Sequence, residues 1–589
     1  MLTALLGYRV HYVDKAIIAG YLVVLIVAGC WLARRAGRGT EDYFLGGRKL
    51  PWWALGSSGM SSNLDVAGTM TIVALITLYG LQGFWIEMRG GVVLPIAVFL
   101  AFMGKWHRRS EVMTTAEWML LRFGPGRGGR MARMTAALTY VVLTVAMIIF
   151  FLSAGGRFLA EFLPYSETQC AIGIALIAFG YTMVSGLHGV IWTDVIQTVL
   201  IGGAAIFVAV TAAGMVTPAL LAAWPAADLN TFWPQNGEPR LAPYLPFYAF
   251  LAVWMGKGIL EGLGGSGGSA YMAQRFYAAR NEADCGKIAM LWTVLFAARW
   301  PMVLGFAIIA MQLGMEVDSF AAAERVLPTV LQSEYFPVGV RGLVLAAMLA
   351  AAMSTFDSTL NAGASYVVQD LYRPWRPNST ERHLVRVGYL ASAGLVGLGL
   401  GLSLVLGGSV IGVWIGIVML LFPAFLVPFA LRWYWGAFNG EGFAAGIAGG
   451  FMAALYFSLA DPSGWNEATR FLGISVVSAV AAVLGKQGGP PVDPVVQRTF
   501  YEQIRPAGWW PKAWRAPHRA EIRTNWQRLA QALVWQITTF LLPMGMVLGM
   551  WIQVALGAVV WLILGLKLWR GCSENTEPTP TPRADGSGG

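Results

Sequence analysis

Apolar runs long enough to cross a bilayer recur along this chain, and they leave it little choice of fold. About fifteen stretches of roughly 18 or more mainly apolar residues can be read from it. They lie near 16–34, 52–80, 84–106, 134–160, 167–184, 188–214, 244–266, 286–313, 339–371, 382–404, 408–432, 436–459, 467–486, 528–546 and 550–569. Inside lipid no water satisfies a bare N–H or C=O, so only helices and closed barrels can span. Runs of this length are read as spanning helices. The expected fold is an all-α polytopic membrane protein. Composition agrees: 12% of residues are charged and 57% hydrophobic, far from the balance of a soluble domain. The 25 Trp suit aromatic belts at two interfaces.

A net charge of +10 could suggest a nucleic-acid partner, but the positions of the basic residues argue for membrane orientation instead. Arg34, Arg35, Arg38, Arg48 and Lys49 follow the first run. Lys105, Arg108, Arg109, Arg122, Arg127, Arg130 and Arg133 follow the third, and Arg275 and Arg280 the seventh. Arg373, Arg376 and Arg382, then Arg498 to Arg523, fall on the same side of the alternating count. Opposite loops carry Glu316, Asp318, Glu324 and Glu334. The expectation is a plasma (inner) membrane protein with its N-terminus outside and its C-terminus cytoplasmic. Ala16 to Arg34 reads as a retained first span, because no cleavable leader precedes it. Cys30, Cys170, Cys285 and Cys572 are scattered, which speaks against a disulfide framework or a zinc site. The five His form no HExxH or HxxxH pair, so an intramembrane enzyme is not expected.

Within this apolar background three stretches carry polar groups at membrane depth. Residues 346–361 read AAMLAAAMSTFDSTLN. On a helix Ser354, Asp357 and Ser358 share a face, and Thr355 lies one turn after Ala351. Hydroxyls and one carboxylate in a dry setting suit a small hard cation, or else hydroxyls bonded back to carbonyls one turn earlier. The span 52–80 is interrupted by Gly56, Gly59 and the polar centre Ser61, Ser62, Asn63 and Asp65. The span 244–266 holds Lys257 and Glu261 and runs into glycines from 262 to 268. Polar, glycine-broken spans at corresponding places in two halves point to a transporter binding site. Each opens a block of five spans, so the two blocks have inverted topology.

Three long motifs then resemble the sodium:solute symporter family, which includes sodium–glucose, sodium–proline and sodium–sialic acid cotransporters. Residues 42–63, DYFLGGRKLPWWALGSSGMSSN, look like the entry into its first broken core helix. Residues 186–197, GLHGVIWTDVIQ, look like its fifth core helix, and 354–372, STFDSTLNAGASYVVQDLY, like its eighth. Residues 273–282, AQRFYAARNE, resemble the loop after the broken sixth. The resemblance covers roughly residues 10 to 490. It implies a LeuT-like inverted five-plus-five helix repeat with extra helices, alternating access, sodium as the coupling ion and a small polar solute as cargo.

Carried over by position, the resemblance implies a principal sodium site from the carbonyls of Ser61, Leu64 and Ala351 and the hydroxyls of Ser354 and Thr355. It implies a second sodium position at Asp194, Asp357 and Ser358, although Asp357 stands where such members have a serine. Asn63 and Glu87 match sugar-contacting positions, whereas Ala67 and Gly68 replace the polar residues expected a turn later. Asp65, Lys257, Glu261 and Arg299 are further candidates for the solute site. Arg299 reads either as a carboxylate clamp or as a partner of Glu261 or Glu87. Phe84, Trp85, Trp254 and Trp300 are candidates for stacking on a sugar. Counted at membrane depth, Asp65, Glu87, Asp194, Glu261 and Asp357 exceed Arg89, Lys257 and Arg299 by two charges. A sugar or polyol is the favoured solute, and an amino acid or carboxylate the alternative.

The expected organisation begins with an N-terminal helix and loop (1–50), then a first repeat (51–214) and a second (244–432). Two added helices (433–486) follow, then a basic segment (487–527) lying along the inner membrane face on anionic lipid. A C-terminal helix pair (528–571) and a disordered tail (572–589) complete it.

Overall fold

The computed structural model describes residues 10–36, 39–87, 93–223, 244, 246–265, 269–405, 409–460 and 465–573. Arg89 and residues 574–589 of the tail lie outside these. The principal helices are α1 Tyr12–Ala36, α2 Trp52–Asn63, α3 Val66–Tyr79, α4 Arg127–Ala160, α5 Glu167–Ala213, α6 Phe247–Leu263, α7 Ala270–Tyr277, α8 Glu282–Phe296 and α9 Arg299–Gln312. They continue with α10 Val340–Tyr366, α11 Glu381–Val405, α12 Phe422–Tyr434, α13 Gly440–Ala460, α14 Glu467–Gly488, α15 Pro494–Ile504, α16 Arg519–Val547 and α17 Trp551–Ser573.

Among the described residues 11 helices are long and apolar enough to span, and the bent pair α2–α3 makes 12. The expected fifteen is therefore not reached. Region 84–106 is split into Gln82–Ile86, Val93–Val98, a π-helical turn Phe99–Met103 and Gly104–Ser110. Region 167–184 survives as the shorter arm Glu167–Gly180. Region 244–266 is cut to the 17 residues of α6 by its glycines.

The breaks have local causes. Between α2 and α3 the axis bends by 55°. Leu64, at φ −100° and ψ 80°, leaves the helix, and Asp65 restarts it by accepting the Gly68 N–H. In α5 the break falls at Gly186, at φ 55° and ψ −159°. A Cβ there would come within 2.8 Å of Tyr43, so both the conformation and the packing require glycine. Tyr43 donates to the Met183 carbonyl at 2.9 Å, and burial raises its phenol above the usual range.

Helix α10 lies at the centre, buried along nearly its whole length, while α17 is the most lipid-exposed span. The basic loops meet at one end of the bundle, as alternation requires. Arg109 binds Glu282 and Glu521, each at 2.9 Å, and Lys105 reaches the same Glu521 carboxylate at 2.9 Å. Arg280 donates to the Lys49 carbonyl at 3.0 Å.

Two arginines assigned to these loops are instead fully buried. Arg122 donates to the carbonyls of Arg432, Trp435, Gly436 and Phe438, closing the C-terminal end of α12. Arg275 sits on α7 inside the bundle. In the basic segment, α15 turns Phe500, Tyr501 and Ile504 onto protein, and Trp509 faces outward.

Candidate sodium and solute sites

The α2–α3 break and the middle of α10 face each other in the core. Ser61, Leu64, Ala351 and Ser354 have no exposed surface, and Thr355 almost none. Ser61 Oγ lies 2.9 Å from Ser354 Oγ. Thr355 Oγ1 donates to the Ala351 carbonyl at 3.0 Å, so those two candidate ligands converge on one turn. All these donors are neutral oxygens. Leaving the helix at Leu64 frees carbonyls on the preceding turn, since the next residues no longer return N–H groups to them. This donor set suits a sodium ion, which needs several hard oxygens and no compensating carboxylate.

Next to it lies a charged cluster. Ser354 donates to Asp194 Oδ1 at 2.5 Å, Ser58 donates to Asp194 Oδ2, and Ser62 lies 3.4 Å from the same carboxylate. Ser62 Oγ is 2.7 Å from Ser358 Oγ. Into this group reaches the Arg275 guanidinium, 3.6 Å from Asp194 and donating to Ser358 at 2.5 Å and Ser58 at 2.9 Å. Asp357 is buried within electrostatic reach of Arg275. Sequence reasoning grouped Asp194, Asp357 and Ser358 and named Ser62 in the polar centre of the broken span without tying it to them, but it missed Ser58 and left Arg275 in a loop. Arg275 follows the apolar run 244–266 and sits on the short amphipathic helix α7, AYMAQRFY, so its spacing reads as a loop position.

Of the solute candidates, Asn63, Asp65, Glu87 and Arg299 gather at the α2–α3 break, whereas Lys257 and Glu261 pack beside Phe422 of α12. Arg299 donates to the Asn63 carbonyl at 3.0 Å and lies within electrostatic reach of Asp65 and Glu87. Gly68 makes room for it, because a Cβ there would lie 2.2 Å from the Arg299 guanidinium. The pairing of Arg299 with Glu261 is not found: Glu261 binds Lys257 one turn away at 2.7 Å, and Lys257 also lies over the Phe422 ring. Asn63 accepts from the Tyr271 hydroxyl at 2.8 Å, which joins the two broken spans directly. Tyr271 was not singled out from the sequence. Trp254 is wholly buried against Phe250 and Phe471, so it serves packing. Phe84 and Trp300 pack against each other at 5.5 Å beside Arg299.

Two broken spans, meeting at membrane depth beside a central helix with an oxygen-lined face, define an ion-coupled secondary transporter. Comparison with known proteins makes the class specific. The family model described as "Sodium:solute symporter family" matches residues 43–450, and the chain belongs to that family. A sodium/glucose cotransporter of Vibrio parahaemolyticus is 26% identical, over 76% of this chain and 86% of its own. A sodium/sialic acid symporter of Aliivibrio fischeri is 25% identical, over 79% and 85%. The solved structure of a Na+-coupled sialic acid symporter, in a substrate-bound outward-open state, shares the fold. Its TM-score is 0.68 at 19% identity, over 82% of this chain and 99% of that one. The protein is thus an integral membrane sodium symporter of a small solute and not an enzyme, with the inverted-repeat fold expected.

Proposed function

We propose that the chain carries a neutral polyhydroxylated solute, a sugar or polyol, into the cell with sodium. One observation carries the choice: Arg299, the side chain best suited to a carboxylate, already donates to the Asn63 carbonyl and has Asp65 and Glu87 within electrostatic reach. Lys257 is likewise held by Glu261. A carboxylate solute would have to compete with Asp65 and Glu87 for Arg299, or break the buried Lys257–Glu261 pair at a cost of several kcal/mol. Relatives named for glucose, mannose and myo-inositol transport support the same reading. Asn63 and Glu87 would present amide and carboxylate groups to hydroxyls, with Phe84 and Trp300 as an apolar wall.

The coupling ion binds, in this reading, to the carbonyls of Ser61, Leu64 and Ala351 and the hydroxyls of Ser354 and Thr355. The position at Asp194, Asp357 and Ser358 is the place for a second cation, and the Arg275 guanidinium fills it. The basic end of the bundle faces the cytoplasm, with the N-terminus outside. Uptake of labelled glucose, mannose, myo-inositol, proline and sialic acid into proteoliposomes, with and without a sodium gradient, tests the assignment. Sodium-dependent uptake of one or more of the first three is expected. Uptake confined to proline or sialic acid would replace the neutral-solute reading with the carboxylate one.

A further inference from the structure

A cavity of about 540 Å³ lies between α1, α4, α5 and α10, away from both candidate sites. Its walls are apolar over most of their length, with Ile18 and Leu22 on α1 and Ile174 on α5. Leu345, Leu349 and Met353 line it from α10, one residue short of Ser354. The rim residues Lys15 and Ile177 are exposed, so the cavity opens on the lipid-facing surface.

The polar lining residues gather at one end. Lys15 stands in the first turn of α1, Tyr165 precedes α5, and Gln169 lies in its first turn. These are at the same end of the bundle as the start of α10. Asp14 accepts the Gly339 and Gly342 N–H groups at 2.7 and 2.9 Å, and Gln332 donates to the Glu161 carbonyl at 3.2 Å. From that end the lining runs inward along α10 from Leu345 to Met353, about 12 Å of rise, which is most of one leaflet's hydrocarbon depth. The neighbouring Arg157 is paired with Glu167 and Glu324, whereas among the described residues no carboxylate pairs with Lys15.

A dry slot of leaflet depth with an unpaired cation at its polar end has the polarity of one occupant. We propose that this cavity binds an anionic phospholipid, with an acyl chain against Leu345, Leu349 and Met353 and the headgroup phosphate at Lys15. The chain would brace the back of the helix whose opposite side carries Ser354 and Thr355. Bound lipid would therefore favour the arrangement of α10 seen here and lower the sodium concentration needed for transport.

Native mass spectrometry of the full-length protein, exchanged into mixed phosphatidylglycerol and phosphatidylcholine, tests the site. Gly173 lines the cavity, and a Cβ there meets nothing within 4 Å, so Gly173→Leu fills the slot without disturbing the helix. Parent protein should retain phosphatidylglycerol in preference to phosphatidylcholine. Lys15→Glu should weaken that retention about fivefold or more, as expected for a lysine at a charged lipid surface, and Lys15→Arg should preserve it. Gly173→Leu should lose both lipids. In liposomes, replacing phosphatidylcholine by phosphatidylglycerol should lower the half-maximal sodium concentration for the parent but not for Gly173→Leu. Equal retention of both lipids by the parent, or retention unmoved by either Lys15→Glu or Gly173→Leu, overturns the proposal.

Discussion

The oxygen cage around Thr355 and the cluster around Asp194 adjoin each other, share Ser354, and balance charge in opposite ways. The cage offers carbonyls and hydroxyls without a charged side chain of its own, so a cation entering it brings the only full charge. The cluster contains Asp194 and, within electrostatic reach, Asp357, and supplies a cation of its own, the Arg275 guanidinium 3.6 Å from Asp194, together with hydroxyls from Ser58, Ser62, Ser354 and Ser358. A buried charge pair that is already complete has little need of a mobile ion, and its worth lies in holding elements together. Asp194 comes from α5, Ser58 and Ser62 from α2, Arg275 from α7, and Ser358 from α10. The cluster therefore ties both broken spans to the two helices behind them, while the cage proposed for sodium contains no such charged tie.

The sharpest way to break this comparison is to remove the internal cation. Arg275→Ala strands Asp194 in the core, and breaking a buried pair costs about 3–5 kcal/mol. Loss of uptake and a clear drop in thermal midpoint in detergent are expected. The double variant Asp194→Asn/Arg275→Gln, which leaves no bare charge, should recover stability. Parent-like stability of Arg275→Ala alone would show that the guanidinium does not complete the cluster.

A smaller and more selective effect is expected in the cage. Thr355→Ala removes one neutral oxygen without adding volume or stranding a charge. We expect the half-maximal sodium concentration to rise about tenfold, the equivalent of ~1.4 kcal/mol, with the thermal midpoint little changed. If instead stability falls and sodium dependence holds, Thr355 serves only its bond to the Ala351 carbonyl.

The two regions also differ in how far the sequence alone reveals them. Ser61, Ser354 and Thr355 stand out through local signals, a glycine-marked break and a polar patch in an apolar run, whereas Leu64 enters only through the family resemblance; the structure sets Ser61 against Ser354 and Thr355 against the Ala351 carbonyl. Arg275 was not. An arginine near the end of an apolar run reads as a loop residue, and only the tertiary fold shows that the break before α7 carries it back into the bundle. Arg299 was read only in part: of the two partners offered, Glu87 lies within electrostatic reach and Glu261 is held by Lys257, while the approach to Asp65 depends on the space left by Gly68, which no spacing rule encodes. The membrane fold itself was legible because every apolar run demands a helix. The span count overshot where glycine or irregular backbone shortens a run, as in 84–106 and 244–266.

The finest test concerns stoichiometry, where the expected effect is no change. The sequence puts Arg275 in a loop, outside the membrane-depth charges, where acids exceed bases by two. With Arg275 counted, and Arg89 kept as a base, the excess falls to one, which a single sodium in the cage balances. The Asp194 region would then need no second ion. Asp357, buried beside Arg275, would act by adding negative potential to the cluster. Parallel measurement of sodium and solute flux should give one sodium per solute in the parent. The ratio should stay at one in Asp357→Asn, even if the rate declines. A parent ratio of two, falling to one in Asp357→Asn, would mean that a second sodium binds despite the guanidinium. The cluster would then be an ion site like its neighbour, not a fixed tie.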